Sequence, residues 1–341
     1  MTSPEPQISS RRILSIDGGG ILGTFPAACL AALECHLPKP IGCYFDLIAG
    51  TSTGGIIAIG LALGLRASEL LDLYERRGSE IFGHGPSRLV NAITRMARSA
   101  RRVVAPKYRP DALRAVLDEI LGDRRIGHAK TRLLIPAWNP VARAVHIYKT
   151  AHHARFRTDF RCLAADAAMA TAAAPTYFPR HVTRDAAGLT DGGTWANNPI
   201  ALAVVEAVAV LGWPPDALHV LSLGCLEETY DIDNQAGIGK LGTKVIPLFM
   251  DGQSRGATGI AKLLTGDEHE RQAIHRIDHV VPRNRYRLDD PRVIPDLKSL
   301  GDAKARQHLP ALDAVFFRSP ADDFLPFHSL DNPLPPLTTQ R

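Results

Sequence analysis

The chain has 341 residues, of which 45% are hydrophobic and 22% charged. Those proportions argue against a fibrous or largely disordered chain and predict a packed core, and the length suits one continuous domain. The formal charge of +5 suits an anionic partner such as a membrane surface, without selecting one.

Residues 1 to 11 are polar, contain Pro4 and Pro6, and lack the apolar run of a signal peptide, so a flexible start and a cytoplasmic location are expected. Arg12 to Asp17 then reads as a buried strand stopped by Gly18, Gly19 and Gly20. A helix should follow, with Thr24 as its cap, Pro26 near its first position and good helix formers to Glu34. Tyr44 to Ala49 predicts a second buried strand, ended by Gly50 and followed after Gly55 by an apolar helix. Leu47 to Leu65 carries no charge, but its first half is rich in Gly, Thr and Ser, which favours a buried helix over a membrane span.

Further strands are expected at 132–135, 144–149 and 218–223, with helices near 111–121, 164–173 and 200–211. Strands alternating with helices predict an α/β fold, a mainly parallel sheet with helices on both faces. The motif-bearing core spans 12–212 and a C-terminal part spans 213–325, with a helix near 257–264 and a strand at 276–281. A proline-rich tail, 326–341, should fray. Five cysteines, Cys29, Cys35, Cys43, Cys162 and Cys225, form no CxxC pair, so neither a disulfide nor a zinc site is expected. No metal and no other cofactor is called for.

Chemistry concentrates in three places. Gly50-Thr51-Ser52-Thr53-Gly54 fits G-x-S-x-G between a predicted strand and a predicted helix. There a serine oxygen points outward above a helix N-terminus, and the flanking glycines Gly50 and Gly54 allow the tight turn. The simpler alternative is a serine that caps the helix. Asp17-Gly18-Gly19-Gly20 lets backbone amides converge on an anion, as an oxyanion hole requires, although a plain tight turn would use the same residues. Gly18, Gly20 and Gly23 also satisfy the dinucleotide pattern G-x-G-x-x-G, but Asp17 would face the pyrophosphate and no acid ends the second strand. Asp191-Gly192-Gly193 is by itself a common turn, and Asp191 becomes a candidate base only because a serine needs one.

Taken together, these motifs in this order and spacing resemble the patatin-like phospholipases. Ala173-Ala174-Pro175-Thr176-Tyr177-Phe178-Pro179 and Asn197-Asn198-Pro199 extend the resemblance, which covers roughly residues 12–199. It implies a Ser-Asp dyad without histidine, carried by Ser52 and Asp191, with Gly18, Gly19 and Gly20 as oxyanion hole. The family's first motif usually continues with Arg or Lys two positions after the glycine run, where this chain has Leu22. The short N-terminus and motif spacing are similar to bacterial phospholipase effectors of anti-phage defence that a cyclic nucleotide switches on. The resemblance thus implies hydrolysis of phospholipid acyl esters, with the inner membrane surface and a cyclic nucleotide as partners, an oligomer as an open question, and neither DNA nor RNA.

Two other readings remain. An α/β-hydrolase triad would add His308 or His328 to Ser52 and Asp191. A binding module would use the glycine loop for a nucleotide without turnover. Finally, residues 88–109 contain seven cations and no acid, with apolar residues at helical spacing. They read as a basic amphipathic helix that packs on the core, lies on anionic lipid, binds a nucleotide or serves as a regulatory lid.

Overall fold

The computed structural model describes residues 10–82, 106–229, 245–267, 271–282 and 285–330. It opens with β1 (Arg11–Ile16), α1 (Thr24–Glu34), β2 (Leu47–Gly50) and α2 (Thr53–Ala62), so both expected strand-turn-helix units form. Next come α3 (Ala67–Phe82), α4 (Pro110–Leu121), β3 (Arg132–Asn139), β4 (Ala144–Lys149) and α5 (Ala164–Thr171). Two short strands, β5 (His181–Val182) and β6 (Gly188–Asp191), lead into a single helical turn α6 (Gly193–Ala196) and α7 (Ile200–Val205). The remainder contains β7 (Leu218–Leu223), β8 (Glu227–Glu228), α8 (Val245–Thr265), β9 (Ile274–Ile277), β10 (Val280–Val281) and α9 (Ile294–Leu312).

β1 lies at the centre of the sheet and pairs in parallel with β2 and β7; β2 and β3, and β7 and β9, are also parallel. β4 and β6 run antiparallel to β3, and β5 antiparallel to β6. The sheet is therefore parallel through its centre, as the alternation of elements predicts, and mixed beyond β3. Helices cover both faces. Leu14, Ile16, Ile48, Leu133 and Leu221 belong to the core that includes α1, α2 and α9. Ile13, Leu47, Ala49, Leu134 and Val220 meet α7 and α8 on the other side. Burial on both faces explains why these strands are continuous apolar runs rather than alternating ones. α2 is apolar or glycine on every side after Thr53 and is wholly buried, as a helix in the middle of a core must be. No helix among the described residues is long and apolar enough to cross a membrane.

Several expectations are corrected. Thr24 does not cap α1: it is the first helical residue and its hydroxyl donates to the Ile21 carbonyl, 2.7 Å away. Tyr44 belongs to a 3₁₀ turn (Ile41–Tyr44) that precedes β2. The expected strand at 276–281 is two strands, and the helix expected at 257–264 is the much longer α8. α7 continues past Val205 as a wider turn over Glu206–Val210. α3 and α9, unread in the sequence, supply buried apolar faces including Leu70, Tyr74 and Leu297. Of the tail expected to fray, 326–330 are described, where the Phe327 amide donates to the Ala151 carbonyl and His328 Nε2 bonds the Ala154 carbonyl; 331–341 lie outside the described residues.

Candidate active site

Ser52 follows β2 by two residues and immediately precedes α2, at φ 55° and ψ −123°. A non-glycine residue in that region stores roughly 1–3 kcal/mol of strain. The surroundings enforce it. A methyl group on Gly50 would lie 2.2 Å from the Gly54 carbonyl oxygen, and one on Gly54 would lie 2.4 Å from the Asp17 carbonyl oxygen. Both glycines therefore permit close backbone approach, the role expected of them. The Ser52 amide donates to Thr171 Oγ1 (3.0 Å), whose own hydroxyl donates to the Pro136 carbonyl (2.6 Å).

The sheet register brings Asp191 to the serine. Ala49 of β2 is level with Leu134 of β3, so counting on in that register puts Ala137 level with Ser52. Ala137 pairs with Asp191 of β6, which lies alongside β3 beyond the end of β2. Ser52 Oγ accordingly donates to Asp191 Oδ2 at 2.6 Å, and the Gly193 amide donates to Oδ1 at 2.6 Å. Asp191 is 5% exposed. Burial pushes its pKa up to about 6, against the downward pull of the bonds from Ser52 and Gly193. A carboxylate near neutrality that already accepts the serine proton has the geometry and basicity of a general base.

The glycine loop lies across this pair, and here the expectation narrows. Gly19 and Gly20 line the cavity over Ser52, with Gly20 at φ +57°. Gly18 does not line it: its amide is committed to the Asn197 carbonyl (3.0 Å), and Asn197 Nδ2 reaches back to the Gly18 carbonyl (3.3 Å). Gly18 thus fixes the loop rather than facing an oxyanion. The Gly19 amide rests on Thr53 Oγ1 at 3.2 Å, a long contact that a developing anion could replace. The Ile21 amide is bound to the Leu288 carbonyl, so the loop forms no open nest for a pyrophosphate.

Leu22, at the family's basic position, is buried at 6% exposure. The cation near the loop comes instead from β9, where Arg276 bonds Asp17 at 2.7 Å and Asp278 at 2.7 Å. Burial raises the Asp17 carboxyl to about 6, with Arg276 opposing the rise.

The cavity measures about 390 Å³ and its walls are mainly apolar, with Ile56, Leu73, Phe82, Leu117, Phe178 and Phe249 among them. Among its described lining residues Asp191 is the only charged one, and none is histidine. The histidine alternatives lie elsewhere, His308 on α9 and His328 against Ala154. The five segments of the quoted motifs meet here: Thr51 Oγ1 donates to the Ala196 carbonyl beside Asn197, the Asp191 amide to the Ala173 carbonyl, the Gly18 amide to the Asn197 carbonyl, and Ser52 Oγ to Asp191. Thr171, Arg276 and the loop at Leu288 were not singled out in the sequence. The basic stretch at 88–109 falls almost wholly outside the described residues. No group of three or more His, Cys, Asp and Glu suited to a metal occurs among the described residues.

A family model described as patatin-like phospholipase matches residues 14–204. A cGAMP-activated phospholipase of Pseudomonas aeruginosa (strain BWHPSA011 / Pa011) is 33% identical over 299 residues, covering 86% of this chain and 83% of that protein. A cGAMP-activated phospholipase of Vibrio cholerae is 35% identical over 246 residues, 68% of each chain. Patatin-like protein 2 of Oryza sativa subsp. indica is 34% identical over 222 residues, 60% of this chain and 54% of that one. The family match spans the elements that carry Ser52, Asp191 and the glycine loop, and the bacterial likeness runs through most of the chain: this protein belongs to the patatin-like phospholipase family.

Proposed function

We propose that this lipid acyl hydrolase uses Ser52 as nucleophile and Asp191 as its only side-chain base. The observation that carries the reading is the 2.6 Å hydrogen bond from Ser52 Oγ to Asp191 inside an apolar cavity without histidine among its described lining. Asp191 takes the Ser52 proton as Oγ attacks the ester carbonyl, and the oxyanion forms toward the amides of Gly19 and Gly20 at the positive end of α2. Asp191 then returns the proton to the departing alcohol, leaving an acyl-enzyme. A water molecule, deprotonated by Asp191, attacks that ester, and the fatty acid leaves as Ser52 regains its proton. The apolar cavity suits an acyl chain.

The substrate is read as a phospholipid in a bilayer, approached from the cytoplasmic face by a peripheral enzyme. The names of the bacterial relatives support a cyclic dinucleotide as the activator of this chain too. The test is to incubate the full chain with a fluorophosphonate probe, with and without cGAMP, and in parallel to follow fatty acid release from phospholipid vesicles. Wild-type protein should be labelled and release fatty acid, both more strongly with cGAMP, whereas Ser52→Ala should do neither. Equal labelling of Ser52→Ala would refute the nucleophile assignment, and vesicle hydrolysis indifferent to cGAMP would refute the activator.

A further inference from the structure

An acidic residue directly before the glycine loop is an awkward neighbour for amides that receive a negative charge. Asp17 is 3% exposed and packed from all sides. Its amide donates to Leu223 (2.9 Å), its carbonyl accepts from Cys225 Sγ (3.3 Å), and Gly54 at the start of α2 presses on that same carbonyl. Its carboxylate meets Arg276, whose Nη2 donates to Oδ2 at 2.7 Å and whose Nη1 reaches Oδ1 at 3.4 Å. Arg276 is itself anchored twice more, by Ser222 Oγ (2.8 Å) and Asp278 Oδ2 (2.7 Å). Asp278 in turn accepts the amides of Leu226 (3.1 Å) and His279 (2.8 Å). Burial opposes the charge on Arg276, but Asp17 and Asp278 hold its pKa above the ordinary arginine value, so the guanidinium stays protonated. Two sheet strands, β7 and β9, thereby grip the end of a third, β1, where the loop begins.

We propose that Arg276 is a positioning residue for hydrolysis: it fixes Asp17 and cancels its charge, so that the loop presents its amide hydrogens to the oxyanion without an opposing carboxylate behind them. The proposal rests on the reading of Ser52 as nucleophile with Gly19 and Gly20 as donors. A shift of about 1 Å in such groups can cost about 100-fold in rate, and an uncompensated buried charge adds to the loss.

The test measures p-nitrophenyl butyrate hydrolysis by the full chain with cGAMP present, with kcat expressed per serine labelled to completion by fluorophosphonate. Arg276→Met should lower that kcat by about 10-fold to 100-fold with KM nearly unchanged. Arg276→Lys should fall between it and wild type, and adding Asp17→Asn to Arg276→Met should recover part of the loss because the opposing charge is gone. A purely structural role predicts fewer labelled sites with normal kcat at each. Unchanged kcat per labelled serine, or a loss that Asp17→Asn fails to relieve, overturns the proposal. If Arg276→Met does not fold, Arg276→Lys decides, and a wild-type kcat there overturns it. Unlabelled wild-type protein would instead refute the serine reading, and this proposal with it.

Discussion

Replacing Asp191 by asparagine should stabilise the fold while removing activity, and the size of the gain follows from where the carboxylate lies. Its pKa is about 6 in the folded chain against an ordinary 3.8. At about 1.36 kcal/mol per pH unit, holding the ionised form in place costs the fold about 3 kcal/mol. Because the folded pKa is raised, the penalty is absent below about pH 3.8, grows between there and about 6, and is complete above. Asparagine is never ionised, so Asp191→Asn escapes it. An amide nitrogen lacking an acceptor returns about 1 kcal/mol or more, which leaves a net gain of at most about 2 kcal/mol at pH 8. By the same linkage the penalty should fall by roughly half at pH 5, so that most of the net gain is lost there. Asp17 titrates in the same range in both proteins, so it cancels in the difference. Urea unfolding followed by circular dichroism at pH 8 and pH 5 measures both values, and ester hydrolysis should fall by about 10²-fold to 10⁴-fold. A stability difference that is independent of pH, or that grows as pH falls, would show that Asp191 is not held ionised under strain.

Three further outcomes are expected. The kcat/KM for a soluble ester should drop about tenfold per pH unit below about 6 and be level above it, since Asp191 must be ionised to accept the serine proton; a profile flat down to pH 4.5 would point to a base of ordinary carboxylate pKa. Gly54→Ala forces a methyl group to within 2.4 Å of the Asp17 carbonyl oxygen and 2.5 Å of that of Ile16. It should cost more than about 2 kcal/mol in thermal unfolding and nearly all activity, whereas a wild-type melting temperature would mean the loop yields easily. Thr171→Val keeps the shape but removes the acceptor of the Ser52 amide and the donor to Pro136. It should destabilise by about 1–3 kcal/mol and lower kcat with little change in KM; an unaltered kcat would count against Thr171 holding the serine turn.

What the sequence disclosed, and what it hid, follows from the range of the interactions. β1 and β2 were legible because each is an apolar run closed by glycine, and those glycines are required by contacts inside the same turn, as Gly50 against Gly54 shows. Asp191 was legible only through the joint motif, since nothing local separates it from any Asp-Gly turn; its placement depends on β6 pairing with β3, more than fifty residues away in sequence. Gly18 looked equivalent to Gly19 and Gly20, and only the reciprocal bonds with Asn197 distinguish it. Arg276 was invisible because its partner Asp17 lies at the far end of the chain and its strand is four residues long. α9 escaped because Pro295 and Pro310 mask its pattern, although Pro295 falls in the first turn, where proline is tolerated.

Gly224 carries a consequence for comparing related chains. A side chain there would begin 1.7 Å from Asp278 Oδ2, so the two positions cannot be occupied independently. In an alignment, relatives that retain the acid at the second position and arginine two residues before it should be those that keep glycine at the first. Lineages with any larger residue at 224 must give up the acid at 278 and anchor the cation beside their glycine loop in some other way, which offers a one-letter criterion for sorting two solutions to the same electrostatic problem.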